Sequence, residues 1–210
     1  MALRAVIFDF GMVLTGVPDA KARAELLRIS GLDNERFEKF YWADRHAYDE
    51  GKLTGLGFWQ KLARDAGLNL PGPTIEELNL WDARMWTTFD PAMLAWHEKL
   101  KQNGVLTAIL SNMGDSVLEN VEREFAWLSS FDALVWSYQL GVAKPEPAIY
   151  EHTLKQLGTA AGEALFIDDK LVNVEAAREL GMQALVYTTM AALRHDLLDC
   201  GFSPGLPLPE

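Results

Sequence analysis

The chain has 210 residues, of which 49% are hydrophobic and 23% charged, so intrinsic disorder, collagen-like repeats and a fibrous coiled coil are excluded as its overall organisation. Lysine and arginine total 19 and aspartate and glutamate 30, which gives a net charge of -11. This excess of acidic residues disfavours nucleic acid and anionic membrane surfaces as partners. At roughly 150 residues per domain, the length predicts one core that carries a sizeable insertion.

A single cysteine, Cys200, cannot form an internal disulfide bond, and the four histidines are scattered along the sequence rather than spaced as zinc ligands. We therefore expect a reducing compartment. The apolar start of the chain is interrupted by Asp9 before it reaches the length of a signal peptide, and no window approaches the ~18 apolar residues of a membrane span. These features predict a cytoplasmic protein that does not enter a membrane.

The first predicted element is a buried strand over residues 5–8, an apolar run that ends at Asp9 and a turn at Gly11. From about residue 19 to 86, apolar residues recur at helical spacing, so this stretch is predicted to be entirely helical. Its breaks fall at turn signals, which are Gly31, Gly51, Gly67 and the Pro-Gly-Pro of residues 71–73.

Helices and strands alternate after Asp90-Pro91, which is a helix start signal. The predicted helices cover residues 91–103, 115–126, 147–157 and 172–180, and the predicted strands cover residues 105–110, 133–136, 164–167 and 183–187. This alternation predicts right-handed crossovers and an α/β fold, a Rossmann-like parallel sheet with helices on both faces.

The predicted organisation is a discontinuous α/β core over residues 1–15 and 90–200, interrupted by an all-helical insertion over residues 16–89. Four tryptophans are predicted to build the small core of the insertion: Trp42, Trp59, Trp81 and Trp86. Residues 201–210 are rich in proline and are predicted to form an extended tail whose apolar residues could pack on a partner. We expect a monomer or a homodimer.

Polar side chains follow the predicted strands at the sheet edge where open parallel sheets bind ligands. They are Asp9, Ser111, Asn112, Lys144, Asp168 and Asp169. Taken singly, most of them have a structural explanation as helix caps or turn residues. Asp9 is harder to explain in this way, because it directly follows a buried strand and must find cations or hydrogen-bond donors there. Together these groups suit a Mg²⁺ ion and a bound phosphoryl group.

Four segments carry a resemblance to a known family, and they read VIFDFGMVLT, LSNMG, GVAKPEPAIY and FIDDKLVNVEAARELGM. In this order and spacing they resemble the four motifs of the haloacid dehalogenase-like (HAD) superfamily, in subfamily I, whose helical C1-type cap follows the first motif. The resemblance covers the whole chain, with residues 16–89 as the cap, and it extends to small sugar-phosphate phosphatases of that family.

The resemblance implies a hydrolase, namely a Mg²⁺-dependent phosphatase that acts on a small phosphorylated metabolite through an aspartyl-phosphate on Asp9. Asp9, the backbone carbonyl of Gly11 and Asp169 would hold the magnesium ion, with help from Asp168. An Asp-Phe-Gly also occurs in protein-kinase signatures, but we do not expect a kinase here, because residues 1–8 do not supply the other motifs of that signature.

The resemblance also implies that Ser111 and Lys144 are catalytic residues that hold the transferring phosphoryl group, beside Asn112 in the substrate site. The insertion contributes two further substrate-binding candidates, Arg45 and His46. Arg45 would bind an anionic leaving group, and His46 could titrate near neutral pH. The competing interpretation of this segment is a helix face with solvated charges.

Gly11 also belongs to the predicted substrate site, and there the sequence departs from the family pattern. Most phosphatases of the family carry a second aspartate at this position, which protonates the leaving group and later activates water. Its absence removes an acid/base contribution of typically ~10²–10⁴-fold in rate. Either another group substitutes, with His46 as the candidate, or the leaving group needs little protonation, or the protein is a poor phosphatase.

Two alternative functions stay open. A 2-haloacid dehalogenase would use the same nucleophilic aspartate on carbon without a metal, but Asp168 and Asp169 would repel its carboxylate substrate. A non-catalytic phosphate-binding protein of the same fold is supported only by Gly11. The sequence does not identify the substrate, because selectivity depends on how the side chains of the insertion are oriented.

Overall fold

A central parallel sheet organises the computed structural model, which describes residues 3–202 and 205–210. The strands are β1 (Ala5–Phe8), β2 (Leu106–Ser111), β3 (Ala133–Trp136), β4 (Ala164–Asp168) and β5 (Gln183–Val186). Their order across the sheet is β3-β2-β1-β4-β5, and every pairing is parallel. The prediction of a Rossmann-like parallel sheet is confirmed.

The central strand β1 is buried on both faces of the sheet. Val6 and Phe8 belong to one hydrophobic cluster, whereas Ala5 and Ile7 belong to a second one, because successive side chains of a strand point to opposite faces. All four side chains are fully buried. Helices therefore cover both faces, which explains why the strand is an uninterrupted apolar run in the sequence.

The segment between β1 and β2 begins with helices that share a hydrophobic cluster of their own. These are α1 (Ala20–Ser30), α2 (Asn34–Ala43), α3 (Arg45–Asp49), α4 (Gly55–Asp65) and α5 (Gly72–Met85). We refer to residues 20–85 as the helical segment. Trp59 is fully buried in its cluster, and Trp81 and Trp86 pack against it. Trp42 is 49% exposed, so the predicted tryptophan core does not include this residue.

The remaining helices follow the predicted alternation, with two additions. They are α6 (Pro91–Gln102), α7 (Asp115–Glu124), α8 (Ser137–Leu140), α9 (Pro147–Leu157), α10 (Leu171–Glu179) and α11 (Met190–Asp199). The sequence reading missed α8, which is a single turn, and α11. In α11 only Leu193 and Leu197 are buried, so its apolar stripe is too narrow to be recognised as a helical pattern.

The two connections between the sheet and the helical segment lie side by side. Thr15 and Phe89 form an antiparallel bridge, and the amide of Gly16 donates to the carbonyl of Thr88 at 2.7 Å. The helical segment therefore leaves and rejoins the core at one place, next to the loop that carries Asp9. The boundaries at residues 15 and 90 stay predictions.

The end of the chain lies against the core. Leu206 is buried in the same hydrophobic cluster as β1 side chains, and the indole nitrogen of Trp96 donates to the carbonyl of Pro207 at 2.7 Å. Leu206 and Pro207 of the predicted tail thus pack against their own core beside α6, and packing of the tail on a partner stays a prediction. Ser203 and Pro204 of that prediction lie outside the described residues.

None of the helices in the described part of the chain combines the length and the apolar composition that crossing a bilayer requires.

Candidate active site

Three carboxylates converge at the carboxyl ends of β1 and β4. Asp9 directly follows β1, and its amide donates to the carbonyl of Ile167 at 2.8 Å, so the sheet fixes the backbone at this residue. Asp168 ends β4, and Asp169 follows it. Asp9, Asp168 and Asp169 each have a carboxylate oxygen within 4.8 Å of the others. The structure therefore brings these three predicted site residues together.

Lys144 supplies the positive charge at this point. Its ammonium lies 2.9 Å from Oδ1 of Asp9 and 2.7 Å from Oδ2 of Asp168, and its side chain is almost completely buried. Burial lowers the pKa of Lys144, but the Asp9 and Asp168 carboxylates outweigh burial and raise it. The lysine is therefore held in its charged form between the two carboxylates.

One ammonium does not neutralise three carboxylates. Burial raises the pKa of Asp9 to about 7, although the Lys144 charge acts in the opposite direction, and the Asp168 charge raises it further. Burial and the Asp168 charge also raise the pKa of Asp169. Carboxyl groups whose pKa is raised in this way favour a bound cation, because a cation stabilises their ionised forms.

Asp168 is a positioned carboxylate rather than a free one. The side-chain amide of Asn173 donates to both of its oxygens at 3.0 Å, and the backbone amide of Lys170 donates to Oδ1 at 2.8 Å. With the Lys144 contact, both oxygens are engaged. Asp169 is half-buried and lines the cavity described below, so it is the more accessible member of the pair.

Ser111 ends β2, the strand next to β1, and Asn112 follows it. Ser111 is buried. The amide of Asn112 donates from Nδ2 to the carbonyl of Lys144, and its Oδ1 accepts from the Lys144 backbone amide, both at 2.8 Å. This two-way pair fixes the loop that carries Lys144. Asn112 therefore positions the lysine, and its predicted place in the substrate site stays a prediction.

Gly11 lies in a tight turn over residues 10–14, with ordinary backbone angles of φ -66° and ψ 133°. A Cβ atom at this position would lie 3.8 Å from the indole ring of Trp86, which is an ordinary contact distance. The backbone and the surrounding space therefore admit a side chain, and glycine is not required here on steric grounds. The acid/base carboxylate of the family pattern is absent, and the indole ring of Trp86 faces the position that its Cβ would occupy.

Arg45 is buried in the helical segment and is already paired. Its Nε donates to Oδ1 of Asp49 at 3.0 Å, and its Nη1 donates to Oδ1 of Asp82 at 3.0 Å. The phenol of Tyr41 accepts a further hydrogen bond from Nη1. Two carboxylates thus neutralise the charge of Arg45. A guanidinium paired in this way does not suit the predicted role of binding an anionic leaving group. His46 is 61% exposed, with Nε2 3.9 Å from a Glu50 oxygen, as expected of a solvated helix face.

The helical segment is seated on the sheet edge through close contacts. The ring of Tyr48 packs so tightly on Gly114 that a Cβ there would lie 2.2 Å from Cζ. The amide of Gly55 donates to Oδ1 of Asp115 at 2.8 Å. These contacts join α3 and α4 to the start of α7, so the segment covers the edge that carries Asp9.

A cavity of about 480 Å³ lies between the helical segment and the sheet edge. Its polar walls include Asp9, Ser111, Asn112, Lys144, Asp169 and Lys170 from the core and Arg45, His46 and Asp49 from the helical segment. Its apolar walls include Met12, Pro18, Trp42, Trp86, Met113 and Val117. The sequence predicted no site role for Asp49 or Lys170, and it placed Trp86 in the core of the insertion rather than in the cavity wall. The i, i+4 spacing of Arg45 and Asp49 is the one signal that pointed to such a pair.

The sequence matches the family described as haloacid dehalogenase-like hydrolase over residues 3–181. The match covers most of the chain, and the parallel sheet with its carboxylates at the strand ends agrees with it. The protein therefore belongs to this family of hydrolases, as the four sequence motifs predicted.

Individual relatives include named phosphatases. The chain is 31% identical to the sesquiterpene phosphatase astK of Aspergillus oryzae, over 90% of this chain and 92% of that protein. It is 27% identical to the D-ribitol-5-phosphate phosphatase of Bacteroides thetaiotaomicron, over 93% and 97%. It is also 32% identical to bifunctional epoxide hydrolase 2 of Sus scrofa, over 92% of this chain but only 38% of that protein.

Solved structures share the fold. A HAD family enzyme from Bacteroides thetaiotaomicron, in complex with magnesium and inorganic phosphate, superimposes with a TM-score of 0.72 at 23% identity, over 89% of this chain and 94% of that one. At this level of identity the likeness concerns the fold alone.

Proposed function

We propose that this protein is a Mg²⁺-dependent phosphatase that hydrolyses a small phosphorylated metabolite through an aspartyl-phosphate on Asp9. One observation carries the proposal: the buried carboxylate of Asp9 lies 2.9 Å from the Lys144 ammonium and belongs to one group with Asp168 and Asp169. This group combines a nucleophile, a cation site and a phosphate-binding charge. The names of two relatives support the same reaction class.

The donor set of the site fits magnesium, which prefers oxygen ligands and is held by one or two carboxylates together with phosphate oxygens. Asp168 is already engaged in hydrogen bonds, so Asp9 and Asp169 would hold the ion with the backbone carbonyl of Gly11, and Asp168 would add its charge. When bound, magnesium would neutralise the negative charge of the phosphoryl oxygens.

Asp9 begins the reaction as the nucleophile. Its carboxylate oxygen attacks phosphorus, a bond from Asp9 to phosphorus forms, and the bond from phosphorus to the leaving oxygen breaks while that oxygen takes up a proton. The Ser111 hydroxyl and the Lys144 ammonium hold the phosphoryl oxygens in place. A water molecule then attacks the phosphorus, releases inorganic phosphate and restores the Asp9 carboxylate.

The helical segment would exclude bulk water during these steps. Trp42 of this segment and Trp86, which directly follows it, form an apolar wall of the cavity that contains Asp9. Water exclusion strengthens the interaction of charged groups with the phosphoryl oxygens. The wall also protects the aspartyl-phosphate from premature contact with solvent.

The test is phosphate release from a panel of small phosphate esters, measured with Mg²⁺ and with EDTA. We expect release only with Mg²⁺, and we expect Asp9→Asn to abolish it. Asp199→Asn is the matched control, because this carboxylate is exposed at the end of α11, and it should leave the rate unchanged. Mg²⁺ should also raise the melting temperature of the wild type, and less so that of Asp169→Asn.

Other outcomes of the same panel would contradict the proposal. Chloride release from a 2-chloro acid without metal would identify a dehalogenase. Binding of inorganic phosphate without turnover of any ester would identify a non-catalytic protein of the same fold.

A further inference from the structure

The turn after Asp9 provides no group that can protonate a leaving alcohol, because position 11 is glycine. An alkoxide is a strong base and leaves readily only when it receives a proton as the bond to phosphorus breaks. The cavity must therefore contain another acid if the protein hydrolyses ordinary alkyl phosphates. His46, the candidate from sequence, is largely exposed and its ring lies 3.9 Å from Glu50.

Asp49, the last residue of α3, is a carboxylate in the right cavity. It lines the same cavity as Asp9 and Gly11, and its side chain is 14% exposed. Nε of Arg45 donates to Oδ1 at 3.0 Å, which orients the carboxyl group. Because the arginine contact is made to Oδ1, the Oδ2 atom is the one that would carry a proton.

The backbone around Asp49 is fixed to the core. The hydroxyl of Ser137 donates to the carbonyl of Asp49, and the same hydroxyl oxygen accepts from the amide of Met113 at 2.9 Å. Gly51 has φ +82°, and a Cβ there would lie 2.9 Å from the carbonyl oxygen of Tyr138. Only glycine permits this approach, so Asp49 keeps a fixed position relative to the strand ends.

The charges around Asp49 suit a group that alternates between acid and base. Burial raises the pKa of Asp49 to about 6, although Arg45 on its own helix lowers it. Asp82 from α5 acts to raise it, and Lys170, which precedes α10, acts to lower it. An acid with a pKa near the working pH donates and accepts protons with comparable ease.

We propose that Asp49 is the general acid and base that takes the place of the carboxylate absent at Gly11. As Asp9 bonds to phosphorus, the proton on Oδ2 of Asp49 passes to the leaving oxygen. The Asp49 carboxylate then takes a proton from the water that attacks the aspartyl-phosphate, which returns Asp49 to its acid form. The proposal rests on the phosphatase function proposed above.

The test compares two esters that differ in their need for an acid. The first is the alkyl phosphate that the wild type hydrolyses fastest, and the second is p-nitrophenyl phosphate, whose leaving anion is stable without a proton. In Asp49→Asn we expect kcat/KM for the alkyl ester to fall by about 10²-fold or more. For p-nitrophenyl phosphate we expect a fall of less than about tenfold, with a burst of p-nitrophenolate because the later water attack lacks its base.

Two further measurements separate this role from a structural one. Asp82→Asn changes the other carboxylate on Arg45, and Asp82 itself does not line the cavity. Because the charge of Asp82 raises the pKa of Asp49, this variant should shift the pH profile of alkyl-ester hydrolysis to lower pH and leave the profile of p-nitrophenyl phosphate in place. In the metal-free protein, the carboxyl NMR signal that Asp49→Asn removes should titrate near pH 6.

The proposal is overturned if Asp49→Asn lowers kcat/KM for both esters by the same factor, or if the selective loss of alkyl-ester hydrolysis occurs in His46→Gln instead. It is also overturned if the Asp49 signal titrates at the ordinary pH of an aspartate. If the wild type releases no phosphate from any ester with Mg²⁺, the phosphatase proposal fails, and Asp49 then has no such role.

Discussion

The ammonium of Lys144 lies 2.9 Å from Oδ1 of Asp9, and both side chains are buried. The same ammonium lies 2.7 Å from Asp168. Removing one member of a buried ion pair is strongly destabilising, because it leaves an uncompensated charge in the interior. The pair that we propose for phosphoryl transfer is therefore also a determinant of the stability of the sheet edge.

Replacing Lys144 with methionine should lower the free energy of unfolding of the metal-free protein by about 3–5 kcal/mol at neutral pH. Denaturant unfolding followed by circular dichroism measures this change. The double variant Lys144→Met with Asp9→Asn should recover part of the loss, because the asparagine amide carries no charge. An equal loss in the single and the double variant would show that repulsion among the carboxylates is not the cause.

Aspartate introduced at Gly11 should restore the acid of the family pattern. The backbone angles at this position suit any residue, and the nearest side chain to a new Cβ is 3.8 Å away. We expect Gly11→Asp to raise the turnover of the alkyl ester by about tenfold or more in the Asp49→Asn background. Steady-state kinetics measure this rescue.

Gly11→Asn is the matched control for that experiment. Asparagine has the size of aspartate but cannot donate a carboxyl proton, so it should give no rescue. If both substitutions raise the rate alike, the effect comes from filling space beside Trp86 and not from acid catalysis.

Alanine at Gly114 should disturb the packing of the helical segment against the start of α7. Its Cβ would lie 2.2 Å from Cζ of the buried Tyr48 ring, and overpacking of this kind costs about 1–3 kcal/mol. We expect Gly114→Ala to lower the melting temperature and the turnover together. Gly72→Ala is the control, because its Cβ would meet no atom within 4 Å, and it should leave both unchanged. A Gly114→Ala protein with wild-type stability would contradict the close contact.

His97 should make the protein sensitive to mild acid. Its ring stacks on Phe131 with 3.8 Å between centroids, and Nε2 lies 3.2 Å from the hydroxyl of Thr107. Burial lowers the pKa of His97 to about 4, with a smaller contribution from the charge of Lys101. The unfolded chain binds this proton near pH 6.5, so the stability due to His97 is present above that pH and is lost as the pH falls towards 4.

The pH dependence of urea unfolding tests this prediction. Between pH 6.5 and 4 the wild type should lose stability on the order of 2 kcal/mol more than His97→Gln does. His195→Gln is the control, because His195 is exposed at the surface of α11, and its curve should follow that of the wild type. Parallel curves for all three proteins would contradict a buried neutral His97.

The sheet and the residues at its edge were predictable because they depend on local patterns and on one topological rule. A continuous apolar run that ends at Asp9 indicates a buried strand with a polar end. Parallel strands bring their carboxyl ends to one edge. For this reason Asp9, Lys144 and the Asp168-Asp169 pair could be expected near each other, although Asp9 precedes the others by more than 130 residues in the chain.

The other side of the cavity was less predictable, because it depends on how helices face one another. Arg45 was expected to meet substrate, but its guanidinium is held by Asp49 and Asp82, and the Asp82 partner lies 37 residues away. Leu206 was assigned to an extended tail, but it completes the core beside β1. Contacts of this kind leave no periodic signal in a single sequence.

The bridge between Thr15 and Phe89 makes the helical segment a module whose two chain connections to the core meet at one point. A chain closed at its base by paired backbone can be replaced by a short turn with little change in the loop-closure entropy of the core. We therefore expect that a helical segment from another member of the family, grafted between these two residues, would give a folded chimera. In such chimeras the choice of leaving group would follow the donor, while the chemistry at Asp9 would stay with the sheet.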